Sequence, residues 1–481
     1  MKKTRILSLL TVAVMLVAIV LTIGISVFAD EGSTTESRGT VDVWLIGGQS
    51  NAVGYGDNVP SEAANDHRYY TGFDNTLFYG VNEVFKWNKD YLAPVTLGLG
   101  QKPTRSGAEI GIAKAVDATG NMNAVIKCAV GATCLYPDLA ADISQSVGTW
   151  TSPSYIERAN MSKDDPDYAT LGTYVDINGV TQDIPDVDMT VTIPQGNADN
   201  NGNVMAGNMY NMFVKTVTEG IRQLKAEGYT PVIRGMWWMQ GEAECYNDTK
   251  AYLYDELLTC LINDVRDVVA EISGDTTVNS AENPMPFLAG NIIWLASNAA
   301  NAPKHIPTVN AAQAAVASAM KNVGYLDKDI TNAQSFFGQQ DNWHYNVATQ
   351  QFFGEQLVKY VLECNNQSLV TASGDGVTFT GGGTLANGTS ATVSFAAKEN
   401  YKINGVTLNG AAIDYTQPYT FTVDGNTAFV VDTEYIGAIA RHGQGRSRPS
   451  AGSLHPHSGR FPRGDHRRSQ DRSSGRQRRH G

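Results

Sequence analysis

An α/β protein built on a parallel sheet, followed by a small C-terminal all-β module and a disordered tail, is the fold class that this 481-residue sequence predicts. Three observations predict it. From Val41 onward, short apolar runs alternate with longer amphipathic segments, the pattern of βα units around a parallel sheet. Between Val370 and Tyr435 the apolar period shortens to two, and beyond Arg441 it vanishes. At 42% apolar and 17% charged residues, the chain can bury a substantial core despite its 47 glycines.

The elements follow in order. Lys2, Lys3 and Arg5 precede an uncharged, mostly apolar run from Ile6 to Phe28, and Val27 and Ala29 place small residues before Asp30. Residues 1–29 therefore read as a signal peptide cleaved after Ala29, which puts the rest in a secreted or cell-surface location. The same run is long enough to serve as an uncleaved anchor. After the polar linker Asp30 to Arg38, strands are expected at Val41–Ile46, Ala124–Val130, Val232–Met239 and Phe287–Ile293. Helices fit Ala108–Ala118, Val204–Ala226, Ala251–Ile272, Val309–Asn322 and Ala348–Glu363. In the last helix Phe352, Phe353, Leu357, Val361 and Leu362 recur at helical spacing and form a face for the sheet. The resulting domain spans 39–366.

Thr149 to Asn203 breaks the rhythm, and a long insertion in a βα fold belongs on the loop side, near the site. Asn197, Asp199, Asn201 and Gly202 resemble the opening of a calcium loop, but the twelfth position is Asn208 where Glu is needed, so the segment reads as an ordinary turn. Pairs two apart, such as Val377 and Phe379, Val393 and Phe395, and Phe429 and Val431, predict a small antiparallel β-module over 370–436. The tail 441–481 holds 11 Arg and no Lys, after 17 Lys and 8 Arg in the residues before it. Both a disordered cationic tail and an end read out of frame account for that switch.

Residues 1–440 hold 25 Lys and Arg against 46 Asp and Glu, a formal charge of −21. That balance excludes nucleic acid and an anionic membrane surface as main partners and leaves neutral sugars open. The five cysteines, Cys128, Cys134, Cys245, Cys260 and Cys364, are odd in number and lack CxxC spacing. Neither a disulfide framework nor a zinc site is indicated, and Cys128 and Cys134 read as separately buried thiols rather than a pair.

The chemistry-bearing residues cluster at strand ends. Val41–Ile46 runs into Gly47-Gly48-Gln49-Ser50-Asn51, and a parallel-sheet protein places its ligand at the carboxyl end of a strand. Ser50 is the leading nucleophile, with a helix N-cap as the plain alternative. Five of the eight histidines lie in the tail, leaving His67, His305 and His344 as candidate bases. His344 follows Asp341 by three residues, close enough for a carboxylate to fix its tautomer. Donors for an oxyanion come from Gly107, which opens a helix, and from Gln240 at the end of Val232–Met239. Trp237 and Trp238 point to opposite strand faces, so one of them is free to be core or sugar platform.

Together these segments carry a family resemblance. From about Val41 to Glu363 the chain resembles the SGNH hydrolases, and within them the sialate O-acetylesterase and acetylxylan esterase group. The resemblance rests on Gly48-Gln49-Ser50-Asn51, Gly107-Ala108-Glu109, Gln240-Gly241-Glu242 and Asp341-Asn342-Trp343-His344-Tyr345-Asn346, with Cys128 to Thr133 between the second and third blocks. It departs from the pattern at Ala52 and at Glu242-Ala243-Glu244. The resemblance implies a three-layer α/β/α, flavodoxin-like sheet and removal of O-acetyl groups from acetylated oligo- or polysaccharide without metal or cofactor. It makes Ser50 the nucleophile and His344 the base, with Asp341 or alternatively Glu242 as the acid. The Ser50 and Gly107 amides and the Gln240 side chain would form the oxyanion hole. Gln49, Asn51, Glu109 and Trp343, which share these motifs, are the expected substrate-binding residues. An inert glycan-binding surface protein and an SGNH lipid esterase or thioesterase are the competing readings.

Overall fold

The computed structural model describes residues 37–57, 60–80, 91–138, 148–176, 178–188, 193–194, 203–204, 206–294, 301–327 and 342–437. The expected signal peptide, the expected turn at Asn197, Asp341 and the Arg-rich tail lie outside the described residues. A seven-stranded sheet is formed by β1 (Gly39–Gly48), β2 (Thr76–Gly80), β3 (Ala93–Pro94), β4 (Met122–Ala129), β5 (Tyr229–Met239), β6 (Phe287–Gly290) and β7 (Val323–Leu326). Their spatial order is β7-β6-β5-β1-β4-β2-β3, and every pairing is parallel except β2 with the short edge strand β3. β1 reads Val-Asp-Val-Trp-Leu-Ile, and its residues from Val41 to Gly48 are all buried. A continuous apolar run of this kind suits a strand covered on both faces. The outer strands β2, β3 and β7, of which β3 and β7 are the edges, are too short and too Gly- or Pro-punctuated to stand out as strands in the sequence.

The principal helices are α1 (Ser50–Val53), α2 (Glu109–Val116), α3 (Asn208–Ala226), α4 (Tyr254–Ser273), α5 (Ile306–Ala319) and α6 (Val347–Cys364). Trp237 and Trp238 show how they attach. Successive strand side chains point to opposite faces, and Trp237 stacks on Phe353 of α6 at 4.8 Å between ring centroids. Trp238 meets Trp150 edge-on at 5.0 Å, and Trp150 packs against Phe213 of α3. Both tryptophans are 0% exposed, so neither is a sugar platform. α6 starts on a true cap: the Asn346 side-chain oxygen accepts from the Thr349 amide at 3.0 Å. Among the described residues no helix is long and apolar enough to cross a membrane. None of the five cysteines forms a disulfide.

α6 leads into β8 (Gln367–Ser373), the first strand of an all-β region that ends with β9 (Thr427–Tyr435) and has its own apolar core around Val370, Val393, Val406 and Phe429. Its pairings are antiparallel with one exception. β8 runs parallel to β9, Val370 opposite Thr427, because the strand that enters the module and the strand that leaves it lie side by side in one direction. The wholly antiparallel expectation is corrected to that extent. The module rests against the turn at Thr119 to Asn121: a Cβ on Gly120 would stand 2.7 Å from the Phe379 carbonyl oxygen.

Candidate active site

Three strand ends meet at one level. Gly48 of β1 is in register with Met239 of β5 and with Ala129 of β4. This sets Gln49-Ser50, Gln240-Gly241-Glu242 and Val130-Gly131 side by side at the carboxyl edge of the sheet. The chain can turn there because Gly48 adopts φ +133°, and a Cβ at that position would stand 2.1 Å from the Met239 carbonyl oxygen. Ser50 is the first residue of α1 and is buried. Gly131 leaves room beside it: a Cβ there would lie 3.6 Å from the Ser50 Cβ and 3.5 Å from the Tyr55 hydroxyl.

Asn51 joins this shelf to the histidine segment. Its Nδ2 donates to the Trp343 carbonyl at 3.0 Å, and its Oδ1 accepts from the Tyr345 amide at 3.3 Å. One fully buried side chain thus clasps the backbone on both sides of His344. The His344 ring stacks on Tyr55 at 4.0 Å and 12°, and the Arg105 guanidinium lies over the same Tyr55 ring at 4.7 Å. Arg105 is held by Asp57 at 2.9 and 3.3 Å across the short antiparallel pair of Gly56–Asp57 with Arg105–Ser106. The structure therefore brings the Ser50 and His344 segments together. His305 is engaged elsewhere, on Asp248.

Glu242 reaches the histidine loop through Asn51 rather than through the imidazole. Its Oε1 accepts the second Asn51 Nδ2 proton at 2.7 Å, and its buried Oε2 has no partner among the described residues. This places it behind the loop, where the alternative role as acid partner of His344 finds no bond. Burial pushes its carboxyl up to about 7, against the bond from Asn51 that pulls it down. The native state thus holds a proton that the unfolded chain gives up near pH 4.5, so the stabilisation is complete below that pH and is lost as pH rises through about 7. Between those limits wild type is expected to lose on the order of 3 kcal/mol relative to Glu242→Gln. Urea midpoints of both proteins at pH 4.5 and 8 check this, and parallel curves would refute it.

Two expected oxyanion donors are already committed. The Gly107 amide donates to Glu109 Oε1 at 2.7 Å. Gln240 Nε2 has two protons and three acceptors: Glu244 Oε2 at 2.6 Å, the Thr133 carbonyl at 3.0 Å and Gln49 Oε1 at 3.2 Å. Either group must release a bond before it can serve an oxyanion, whereas the Ser50 amide, first in α1, has no acceptor within the helix. Glu109 is corrected from a substrate ligand to a buried structural charge. It is 0% exposed and its Oε2 accepts from Lys127 Nζ at 2.9 Å. Lys127 spends its other donors on the carbonyls of Val53 at 2.9 Å and Leu99 at 2.7 Å. Gln49 is likewise interior, accepting from Gln240 and from the Gly241 and Ala243 amides. Trp343 is half-buried beside Tyr246 and Trp294.

Sequence reasoning missed Tyr55 and Lys127. Tyr55 carried a signal, since it lies five residues after Ser50 on the same Gly-rich turn. Lys127 carried one too, as a lone charge in an apolar strand, which must be paired to be buried.

Residues 196–363 match the family model described as carbohydrate esterase, sialic acid-specific acetylesterase. The matched stretch contains Gln240, Glu242 and His344 and does not reach Ser50. Among solved structures the chain is similar to a protein from Arabidopsis thaliana at 15% identity, covering 67% of this chain and 98% of that one with a TM-score of 0.36. It is similar to a carbohydrate acetylesterase from Xanthomonas citri at 15% identity, covering 81% and 72% with a TM-score of 0.38. It is also similar to NanS at 14% identity, covering 68% and 98% with a TM-score of 0.40. No curated protein sequence matches the chain.

Proposed function

We propose that this chain, whose residues 196–363 match the carbohydrate esterases of the sialic acid-specific acetylesterase family, is an exported serine esterase that removes O-acetyl groups from acetylated xylan-type or sialic acid-type carbohydrate. The observation that carries the reading is the two-sided clasp of Asn51 on the His344 backbone, because it ties the residue after Ser50 to both neighbours of the base. Ser50 Oγ attacks the acetyl carbonyl while His344 takes its proton. The imidazolium then protonates the departing sugar oxygen, and water, deprotonated by His344, releases acetate from the acyl-serine. Asp341 is the residue we assign to orient His344. The Ser50 amide donates to the oxyanion, and the Gly107 amide joins it when Glu109 lets go. Strand ends in parallel register and helices meeting Trp237 and Trp238 on opposite strand faces support a three-layer SGNH arrangement. Export is supported by the basic start and the apolar run Ile6 to Phe28.

Acetate release by the purified wild type from acetylated xylan and from O-acetylated sialic acid tests the reading, and no release from either overturns it. The clasp makes a further prediction. Asn51→Ala frees the backbone at Trp343 and Tyr345 and strands Glu242 Oε1. It is expected to lower kcat about 100-fold with a smaller change in KM, since misplacing a base by about 1 Å costs that much. Steady-state kinetics check it, and a kcat within threefold of wild type would remove Asn51 from the positioning of His344.

A further inference from the structure

We propose that Trp343, Trp294 and Tyr246 form the platform on which a neutral O-acetylated sugar ring lies while its acetyl group reaches Ser50. The inference rests on the esterase reading and narrows its substrate class. The three rings come from three separate loops at the edge of the sheet where the strands end. Tyr246 follows β5, Trp294 follows β6, and Trp343 adjoins His344. Trp343 meets Trp294 edge-on at 4.8 Å and 78°, and Tyr246 at 6.0 Å and 64°. The Trp343 indole N–H donates to the Tyr246 hydroxyl at 3.3 Å, and Tyr246 is 64% exposed.

Each loop is fastened from beneath by polar bonds. The Asn310 side chain accepts from the Ile292 amide at 2.7 Å and donates to the Ile292 carbonyl at 2.8 Å, two residues before Trp294. Buried Glu244 accepts from the Leu135 amide at 2.6 Å, and the His305 amide donates to the Cys245 carbonyl at 3.1 Å, which holds the turn that carries Tyr246. Asn51 holds Trp343 itself. Aromatic surface that is exposed at Tyr246 and half-buried at Trp343 and Trp294 is cheap to use when held this firmly, because the rings need no ordering when a ligand arrives. A pyranose presents an apolar C–H face and a polar rim, the complement of ring faces with one hydroxyl handle.

Charge sets the sign of the ligand. Arg105, over Tyr55, is neutralised by Asp57. Residues 1–440 sum to 25 minus 46, or −21. That field repels a sugar carrying a carboxylate and leaves a neutral one untouched.

The test is acetate release by wild type, Tyr246→Ala, Tyr246→Phe and Trp294→Ala on three esters: acetylated xylo-oligosaccharide, O-acetylated N-acetylneuraminic acid, and ethyl acetate, which has no ring to stack. Wild type is expected to favour the neutral oligosaccharide over the acidic sugar. Each alanine variant is expected to raise KM for the oligosaccharide about tenfold with kcat held within twofold, so that its kcat/KM ratio over ethyl acetate falls about tenfold. Tyr246→Phe, which keeps the ring, recovers most of that loss. An unchanged KM, a parallel fall of kcat/KM on oligosaccharide and ethyl acetate, or a wild-type preference for the acidic sugar each overturns the platform and leaves the esterase reading standing. Wild-type inactivity on all three esters overturns the esterase reading and the platform with it.

Discussion

Ser50→Ala is expected to lower kcat for acetate release by about 10⁴- to 10⁶-fold while leaving the thermal midpoint within about 2 °C of wild type. The substitution deletes one oxygen at the start of α1 and leaves the Ser50 backbone and its bond to Gly54 in place. On the proposed mechanism it removes the nucleophile, so that the residual rate over water comes only from binding and oxyanion donors. His344→Ala should fall by a comparable factor, and the double variant should be no slower than either single one, because nucleophile and base act as a unit. Single-turnover acetate release measures all three. A Ser50→Ala variant that keeps more than a tenth of the wild-type rate would exclude Ser50 as the nucleophile, and additive losses in the double variant would mean the two residues work in separate steps.

Glu109→Ala is expected to cost about 3 to 5 kcal/mol of stability, because it leaves the Lys127 ammonium buried without its counter-charge. Burial already pushes the Lys127 ammonium down, and Glu109 pushes it back up. The two carbonyls that remain, on Val53 and Leu99, are dipoles and offset only part of the desolvation. The double variant Lys127→Met with Glu109→Leu should recover most of the loss, since a well-packed apolar pair of similar volume replaces a buried ion pair at little cost. Urea unfolding of wild type, the single variant and the double variant checks the order. A single variant as stable as wild type would mean that the pair contributes nothing to the fold.

Much of this architecture was legible in the chain. The buried run Val41–Ile46, the apolar face Phe353-Leu357-Val361 and the two-residue period after Val370 report their own local structure, because burial on a strand or helix imposes a short-range period. The scarcity of histidines before the tail left three candidates, and Asp341 three residues upstream pointed to His344 without any structure. The short strands at Thr76–Gly80, Ala93–Pro94 and Val323–Leu326 were not legible, since four or five residues or fewer hold too little of a period to rise above a loop. The part played by Glu109, and the bonds that occupy Gly107 and Gln240, were not legible for a different reason. Each of these residues can donate or accept toward a substrate, and nothing local says that Glu109 takes the Gly107 amide or that Gln240 is surrounded by three acceptors.

The sequence alone determined the longer strands and helices that this protein builds, and it pointed to one serine and one histidine at strand ends as the candidate reactive groups. Only the tertiary structure decided which polar atoms near them remain available. Strand and helix patterns repeat every two to four residues, whereas Asn51 finds Trp343 across 292 positions and Lys127 finds Val53 across 74. Bonds at that separation are settled by strand order and register, which bring distant side chains within about 3 Å of one another and leave no trace in either neighbourhood of the chain.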